Sequence, residues 1–248
     1  MPTEEDATNR SCMSIDILAF GAHPDDVECA AGGVLISEIL KGRTAIIVDL
    51  SRGEVGTFGN SEDRAIEANE AADVIGLLER RNLDLGDGRI ENTTENKLKV
   101  IQIIREFRPR IILANAMSDR HPDHRNAAEL VRDAVFLSGL KKFPEVGAKE
   151  HPLGPWRPSA LFHYVQDYFI TPDIVIDISE VFEKKMDTIR SFRSQFLTAD
   201  DHSSRGIMAL LGQIEATNKI FGRPINVPYA EGFTIERYPG AKSIFDIL

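Results

Sequence analysis

The run Ile15-Asp16-Ile17-Leu18-Ala19-Phe20-Gly21-Ala22-His23-Pro24-Asp25-Asp26-Val27-Glu28-Cys29-Ala30-Ala31-Gly32-Gly33 decides how the rest of this chain reads. Residues 15–20 are apolar except for Asp16 and read as a buried strand. Cys29-Ala30-Ala31-Gly32-Gly33 is a small-residue run that opens a helix, expected over residues 30–41 with Val34, Leu35, Ile39 and Leu40 as its apolar positions and Gly42 as its stop. Between them, one imidazole and two adjacent carboxylates stand where a strand gives way to a helix. In open α/β sheets, sites are built at that end of a strand.

Further along, the alternation repeats. Residues 44–50 form a second β-branched strand, followed by a loop with Gly53, Gly56 and Gly59 at every third position. A helix over 61–75 has Ser61 as its expected cap and ends at Gly76. A short strand is expected over 82–85, and Gly86-Asp87-Gly88 is a turn. An amphipathic helix over 94–107 places Leu98, Ile101 and Ile104 on one face and stops before Pro109. Residues 110–114 are the fourth strand. A second polar knot, Asp119-Arg120-His121-Pro122-Asp123-His124, follows it, and Pro122 suits the first turn of a helix running to about 137. Residues 141–158 read as a long Pro-, Gly- and Lys-containing loop. Strands over 160–165 and 173–178, a helix over 179–192 capped by Ser179, a polar loop over 195–204, a helix over 206–221 and a last strand over 229–235 complete the reading. Strand–helix alternation of this kind predicts an α/β fold: a Rossmann-like, mostly parallel sheet flanked by helices, with a C-terminal extension completing the site. Residues 1–13 read as a flexible N-terminal tail, and 14–248 as a single domain.

Composition narrows the partners. Lys and Arg number 29 against 39 Asp and Glu, a net charge of −10, which argues against nonspecific nucleic acid and anionic membrane surfaces. No apolar run approaches the length of a membrane span or a signal-peptide core. Two cysteines, Cys12 and Cys29, cannot make a disulfide framework, and a reducing, cytoplasmic setting follows as the expectation.

The two knots carry the chemistry. His23 and Asp26 are three residues apart at a strand-to-helix junction, a spacing that turns both side chains toward one point, and His124 is a distant third nitrogen donor. Two histidines and one carboxylate with an open position form a catalytic zinc pattern, although iron(II) fits similar donors. Asp25 beside that point is the candidate general base. His121 is placed to stabilise a developing oxyanion if protonated, with Asp123 as the partner that fixes its tautomer. The plainer reading of either His-Pro-Asp is a turn whose aspartate caps a helix; two knots, each after an apolar strand and before a helix, weigh against it. Gly32-Gly33 lacks the spacing of a dinucleotide fingerprint and reads as close helix–sheet packing.

Ala22-His23-Pro24-Asp25-Asp26-Val27-Glu28 together with Arg120-His121-Pro122-Asp123-His124 resembles the LmbE-like, or PIG-L, family of zinc-dependent N-acetylglucosamine deacetylases. The resemblance extends from about residue 15 to 233. Ser51-Arg52-Gly53-Glu54-Val55-Gly56-Thr57, Arg64, Ser194-Gln195-Phe196 and Tyr229-Ala230-Glu231-Gly232-Phe233 are most similar to the bacillithiol-biosynthesis branch, which deacetylates N-acetylglucosaminyl malate. It implies His23, Asp26 and His124 as ligands of one Zn2+, Asp25 as general base, His121 with Asp123 as the oxyanion pair, Arg64 as a substrate contact, a small-molecule N-acetylglucosamine conjugate as substrate, and a homo-oligomer. Without it, Arg64 reads as a helix-surface partner of Glu62 or Glu67. The competing functions are an amidase of a larger thiol-sugar conjugate and a non-catalytic sugar- or nucleotide-binding module, which predicts neither tightly held metal nor acetate release.

Overall fold

A computed structural model describes residues 14–143, 146–148, 151–196 and 201–247. The tail expected over 1–13 lies outside them. Seven strands form one sheet in the order β3-β2-β1-β4-β7-β9-β8. The strands are β1 (Ile17–Gly21), β2 (Ala45–Asp49), β3 (Glu79–Asn82), β4 (Ile111–Ala114), β7 (Ala160–Tyr164), β8 (Ile174–Asp177) and β9 (Ala230–Ile235). β5 (Val146–Ala148) and β6 (His151–Leu153) pair as a separate antiparallel ribbon inside what reads as loop. β3, β2, β1, β4 and β7 run parallel, and β9 joins β7 and β8 antiparallel. The expected mostly parallel α/β sheet is the observed one.

Every residue of β1 and β2 is buried, as strands covered on both faces must be. Alternation divides their side chains between two cores. Ile17, Ala19, Ala45 and Ile47 face one core, under α1 (Asp26–Leu40), α2 (Ser61–Ile75) and α5 (Phe182–Arg190). Leu18, Phe20, Ile46 and Val48 face the other, under α3 (Thr94–Phe107) and α4 (Pro122–Ser138). The chain leaves β1 toward β2 and β3, then returns to place β4 on the other flank of β1. Strand order therefore reverses between β1 and β4, and the crevice beyond their carboxyl ends is where such sheets bind ligands. Both polar knots start there.

Several local readings change. α1 starts at Asp26 inside the first knot, not at residue 30. The cap of α2 is Asn60, whose side chain accepts from the amides of Glu62 and Asp63, so Ser61 is the first helical residue. β3 lies three residues earlier than expected because Glu79-Arg80-Arg81-Asn82 is the segment in register with β2. Ser179 bonds Asp177 and the Tyr229 carbonyl and leads a short 3-10 turn rather than capping α5. α6 (Arg193–Phe196) and α7 (Asp201–Gly222) occupy most of the expected 195–204 loop, whose residues 197–200 lie outside the described chain.

One buried ion pair joins the C-terminal elements to α1. Lys185 Nζ lies 2.7 Å from Glu231 Oε1, and both side chains are fully buried. Glu231 also accepts the Gly33 and Val34 amides at 2.9 and 2.7 Å. α1 comes that close because Gly33 has no side chain: a Cβ there would lie 2.9 Å from Ile178 Cβ. Removing one partner of a buried pair strands the other charge, which costs about 3–5 kcal/mol. Lys185→Met is expected to lower unfolding free energy by that amount in urea titrations; a loss under about 1 kcal/mol would mean the pair contributes no more than an exposed one.

Candidate active site

The crevice brings the two knots together. The ring centroids of His23 and His124 are 5.4 Å apart, and His121 lies 4.7 Å from the first and 5.0 Å from the second. Asp26, in the first turn of α1, stands between the two outer histidines. Its Oδ2 is 3.6 Å from His23 Nδ1 and its Oδ1 is 3.2 Å from His124 Nε2. Donors about 2.1 Å from a tetrahedral ion are separated by roughly 3.4 Å, so Asp26 fits ligand spacing to each histidine, and the donor atoms of His23, His121 and His124 lie within 4.8 Å of one another.

The surroundings of the donors strengthen that fit. His124 turns its other nitrogen, Nδ1, to Asp119 Oδ1 at 2.9 Å. His23 turns Nε2 toward Asp87 Oδ1 at 3.0 Å and Asp123 Oδ2 at 3.4 Å. A carboxylate behind each imidazole is the arrangement that orients metal-binding histidines and raises their basicity. Asp26 is fixed by amides: Asn115 Nδ2 donates to Oδ2 at 3.0 Å and Gln166 Nε2 to Oδ1 at 2.6 Å. Burial disfavours the imidazolium of His23, yet hydrogen bonds to Asp123, Asp26 and Asp87 outweigh it and push the pKa up to about 12. Burial likewise opposes the charge on His124, and Asp26 and Asp119 overcome it, raising that pKa to about 10. A pocket that holds positive charge this strongly is electrostatically matched to a cation.

Asp25 lies at the N-terminus of α1 with φ 115° and makes no side-chain cap. A non-glycine residue in that region costs about 1–3 kcal/mol and persists only where its surroundings hold it. What holds it is Arg64: Nη2 donates to Asp25 Oδ2 at 2.6 Å and to the Pro24 carbonyl at 3.0 Å. Arg64 is buried, and its partner is Asp25 rather than Glu62 or Glu67; Glu67 accepts instead from the amide and hydroxyl of Ser194. Gly53 lets the guanidinium pass, since at φ 67° a Cβ would lie 2.8 Å from Arg64 Cζ. Burial raises the Asp25 pKa above 3.8, and the Arg64 charge offsets part of that rise.

His121 is oriented by the backbone of α4. Its Nδ1 accepts the Asp123 backbone amide at 3.2 Å, so the neutral ring carries its proton on Nε2. Burial and repulsion from His23 and His124 hold its pKa below the ordinary 6.5. The Asp123 carboxylate does not serve it. Asp123 accepts from the amides of Gly88 at 2.7 Å and Ile90 at 3.3 Å and faces His23. Its position as the second residue of α4 turns the side chain away from the ring that precedes it.

Asp87, Asn115, Asp119 and Gln166 are not singled out by sequence reading. Asp119 carries a signal, a carboxylate five residues before a candidate ligand within the same knot. Asp87 stands in a Gly-Asp-Gly that also reads as an ordinary turn. His23, Asp26, His121 and His124 line one end of a cavity of about 430 Å³, with Asp87 and Gln166 beside them; small-molecule sites span roughly 300–1,000 Å³.

Fold and site together define an α/β protein with a candidate single-metal centre and a half-buried carboxylate, Asp25, poised beside it. A family model described as PIG-L, GlcNAc-PI de-N-acetylase, matches residues 18–135. The chain is 28% identical over 194 residues to the diacetylchitobiose deacetylase of Thermococcus kodakarensis, covering 73% of this chain and 70% of that protein. It is 28% identical over 196 residues to a probable N-acetyl-alpha-D-glucosaminyl L-malate deacetylase 2 of Bacillus cereus, covering 74% of this chain and 84% of that one. The crystal structure of a conserved protein from Thermus thermophilus superposes with a TM-score of 0.81 at 33% identity, covering 93% of this chain and 98% of that one. The chain belongs to the PIG-L family.

Proposed function

We propose that the protein hydrolyses the N-acetyl group of an N-acetylglucosamine conjugate, releasing acetate and a free amine. The observation that carries this reading is the convergence of Asp25, His121 and the trio His23, Asp26 and His124 at one end of the cavity. His23, Asp26 and His124 would hold a divalent ion, which we assign as zinc, and when bound it would supply a water of lowered pKa and polarise a carbonyl oxygen. Asp25 takes the proton as the water attacks the carbonyl carbon, and later gives it to the nitrogen as the C–N bond breaks. His121 donates its Nε2 proton in a hydrogen bond to the carbonyl oxygen as charge develops there. Arg64 holds Asp25 in place and lines the sugar side of the cavity, where it is the candidate substrate contact. Asp123 acts through His23, whose Nε2 lies 3.4 Å from its Oδ2. The activity is assigned to residues 14–248 as one domain.

For the substrate we favour N-acetylglucosaminyl malate, as in bacillithiol synthesis. Arg64 and Arg120 are the two arginines among the described residues lining the cavity, and the Arg120 side chain, shared with Asp167, is 66% exposed. That cation suits a carboxylate-bearing aglycone better than a neutral disaccharide. A homo-oligomer in a reducing, cytoplasmic setting is proposed with it. Among the described residues no helix is long and apolar enough to cross a membrane. An assay of amine release tests the reading with N-acetylglucosaminyl malate and with diacetylchitobiose, each with and without a chelator. The expected result is chelator-sensitive turnover that favours the malate conjugate at least tenfold, with Arg120→Ala raising KM for that substrate selectively. Chelator-resistant turnover would remove the metal from the scheme, and absence of turnover on both substrates would remove the deacetylase reading.

A further inference from the structure

The cavity changes character along its length. Near the candidate metal position it is lined by charged groups and by the backbone of Gly56 and Gly88. The same cavity is also lined by Ala30 of α1, Phe196, Leu210, Ile214 and Phe221, and by Val165 after β7. Ala30 lies one helical turn beyond Asp26 on the same face of α1. Leu210, Ile214 and Phe221 recur at helical spacing on α7 and supply the apolar part of its cavity lining, beside Gln213, Thr217 and Asn218. Leu210 and Ile214 are only partly buried and pack against the core cluster that contains Phe196 and Ala30. The floor is the junction of β7 and β9, where Val165 donates to the Gly232 carbonyl at 2.9 Å. Phe221 closes over Gly232, where a Cβ would lie 2.7 Å from its ring. Two of the three polar side chains that α7 brings to the cavity are already committed. Gln213 donates to the Asp167 carbonyl at 3.1 Å, and Asn218 bridges Lys185 and the Ala230 carbonyl at 2.9 Å each.

A carbonyl carbon at the reacting position carries two substituents, the nitrogen of the sugar and the acyl carbon. The hydroxyl-rich sugar matches the charged end, which leaves the acyl substituent facing the α1–α7 recess. An acetyl methyl would occupy only its entrance. We propose that this recess is an acyl-chain site, so that the protein also hydrolyses N-acyl groups of several carbons from an amino sugar. The inference rests on the deacetylase reading above. The reaction balances in the same way: water adds across the amide, the C–N bond breaks, and a fatty acid and a free amine leave.

The test uses the metal-loaded full chain and a series of N-acylglucosamines from acetyl to octanoyl. A parallel series of alkyl glycosides of N-acetylglucosamine carries the same chains on the aglycone. The expected result is that kcat/KM for butyryl to octanoyl stays within tenfold of acetyl or exceeds it, while the alkyl glycosides show no comparable gain. Ile214→Gln, which makes the recess polar, and Ile214→Trp, which fills it, should each lower the octanoyl-to-acetyl ratio of kcat/KM at least tenfold. Folding of both is checked by circular dichroism. Turnover of the acetyl compound with loss of more than a hundredfold on lengthening to butyryl would overturn the acyl site and leave the deacetylase reading standing. A gain with alkyl glycosides alone would assign the recess to the aglycone and overturn the proposal. If no compound of either series releases amine or acid, the underlying activity is what has failed.

Discussion

Asp25→Asn is expected to lower turnover by about 10²- to 10⁴-fold, the usual contribution of a positioned general acid–base group, while bound metal stays stoichiometric. The substitution is chosen because asparagine is among the few residues that tolerate positive φ, and Asp25 has φ 115°. It also keeps an acceptor for Arg64, so the backbone at the start of α1 has no new reason to move. What is lost is the ability to hold a proton and release it. The pH profile provides a second readout. Burial raises the Asp25 pKa and the Arg64 charge opposes the rise, so activity should fall with decreasing pH through a value above the ordinary 3.8. Removing the opposing charge with Arg64→Met should move this acidic limb to higher pH, in addition to any effect on KM. Full turnover in the Asp25→Asn enzyme, or an acidic limb that Arg64→Met leaves in place, would show that the proton travels by another group.

Much of this arrangement is legible in the chain, for physical reasons that also explain what is not. β1 and β2 read clearly because strands buried on both faces are runs of apolar residues, and each knot stands at the end of such a run. β3 does not read because its middle is Arg80-Arg81. Arg80 is buried by forming a bidentate pair with Asp49 and a further contact to Glu28, while Arg81 lies over the Phe107 ring at 4.4 Å. No pattern of hydropathy can register a strand whose inward groups are charged and satisfied from α1 and β2. The histidines and aspartates of the knots carry their chemistry in their side-chain types. Asn115 and Gln166, 89 and 140 positions from Asp26, meet it only because β4 and β7 are neighbours in the sheet. The misreading of Asp123 has a similar origin: adjacency in sequence suggests a partner for His121, and the helix turn carries the carboxylate to the amides of Gly88 and Ile90.

His124→Ala should bring metal occupancy down further than any other single change, with affinity lower by well over the roughly 10- to 100-fold that loss of an outer partner costs. Asp119→Asn tests that outer partner directly and should fall within the range, because His124 Nδ1 would then face an amide instead of a carboxylate at 2.9 Å. Proton linkage gives the same site a pH signature. In the metal-free chain both His23 and His124 have pKa values raised from 6.5, to about 12 and about 10. A raised folded-state pKa contributes stability that is complete below the unfolded value, about 6.5, and is lost as pH rises through the folded value. At neutral pH the empty site is therefore protonated, and a cation must displace those protons in order to bind. Apparent affinity should rise with pH by up to about tenfold per unit for each proton displaced, as read by competition with a chelator between about pH 6 and 8. Calorimetry in buffers of different ionisation enthalpy should show proton release that falls by about one in His124→Ala. Unchanged occupancy in that variant, or affinity flat across this pH range, would place the cation elsewhere. Asp25 and His121 would then border a cluster held together by protons alone, with nothing to activate a water.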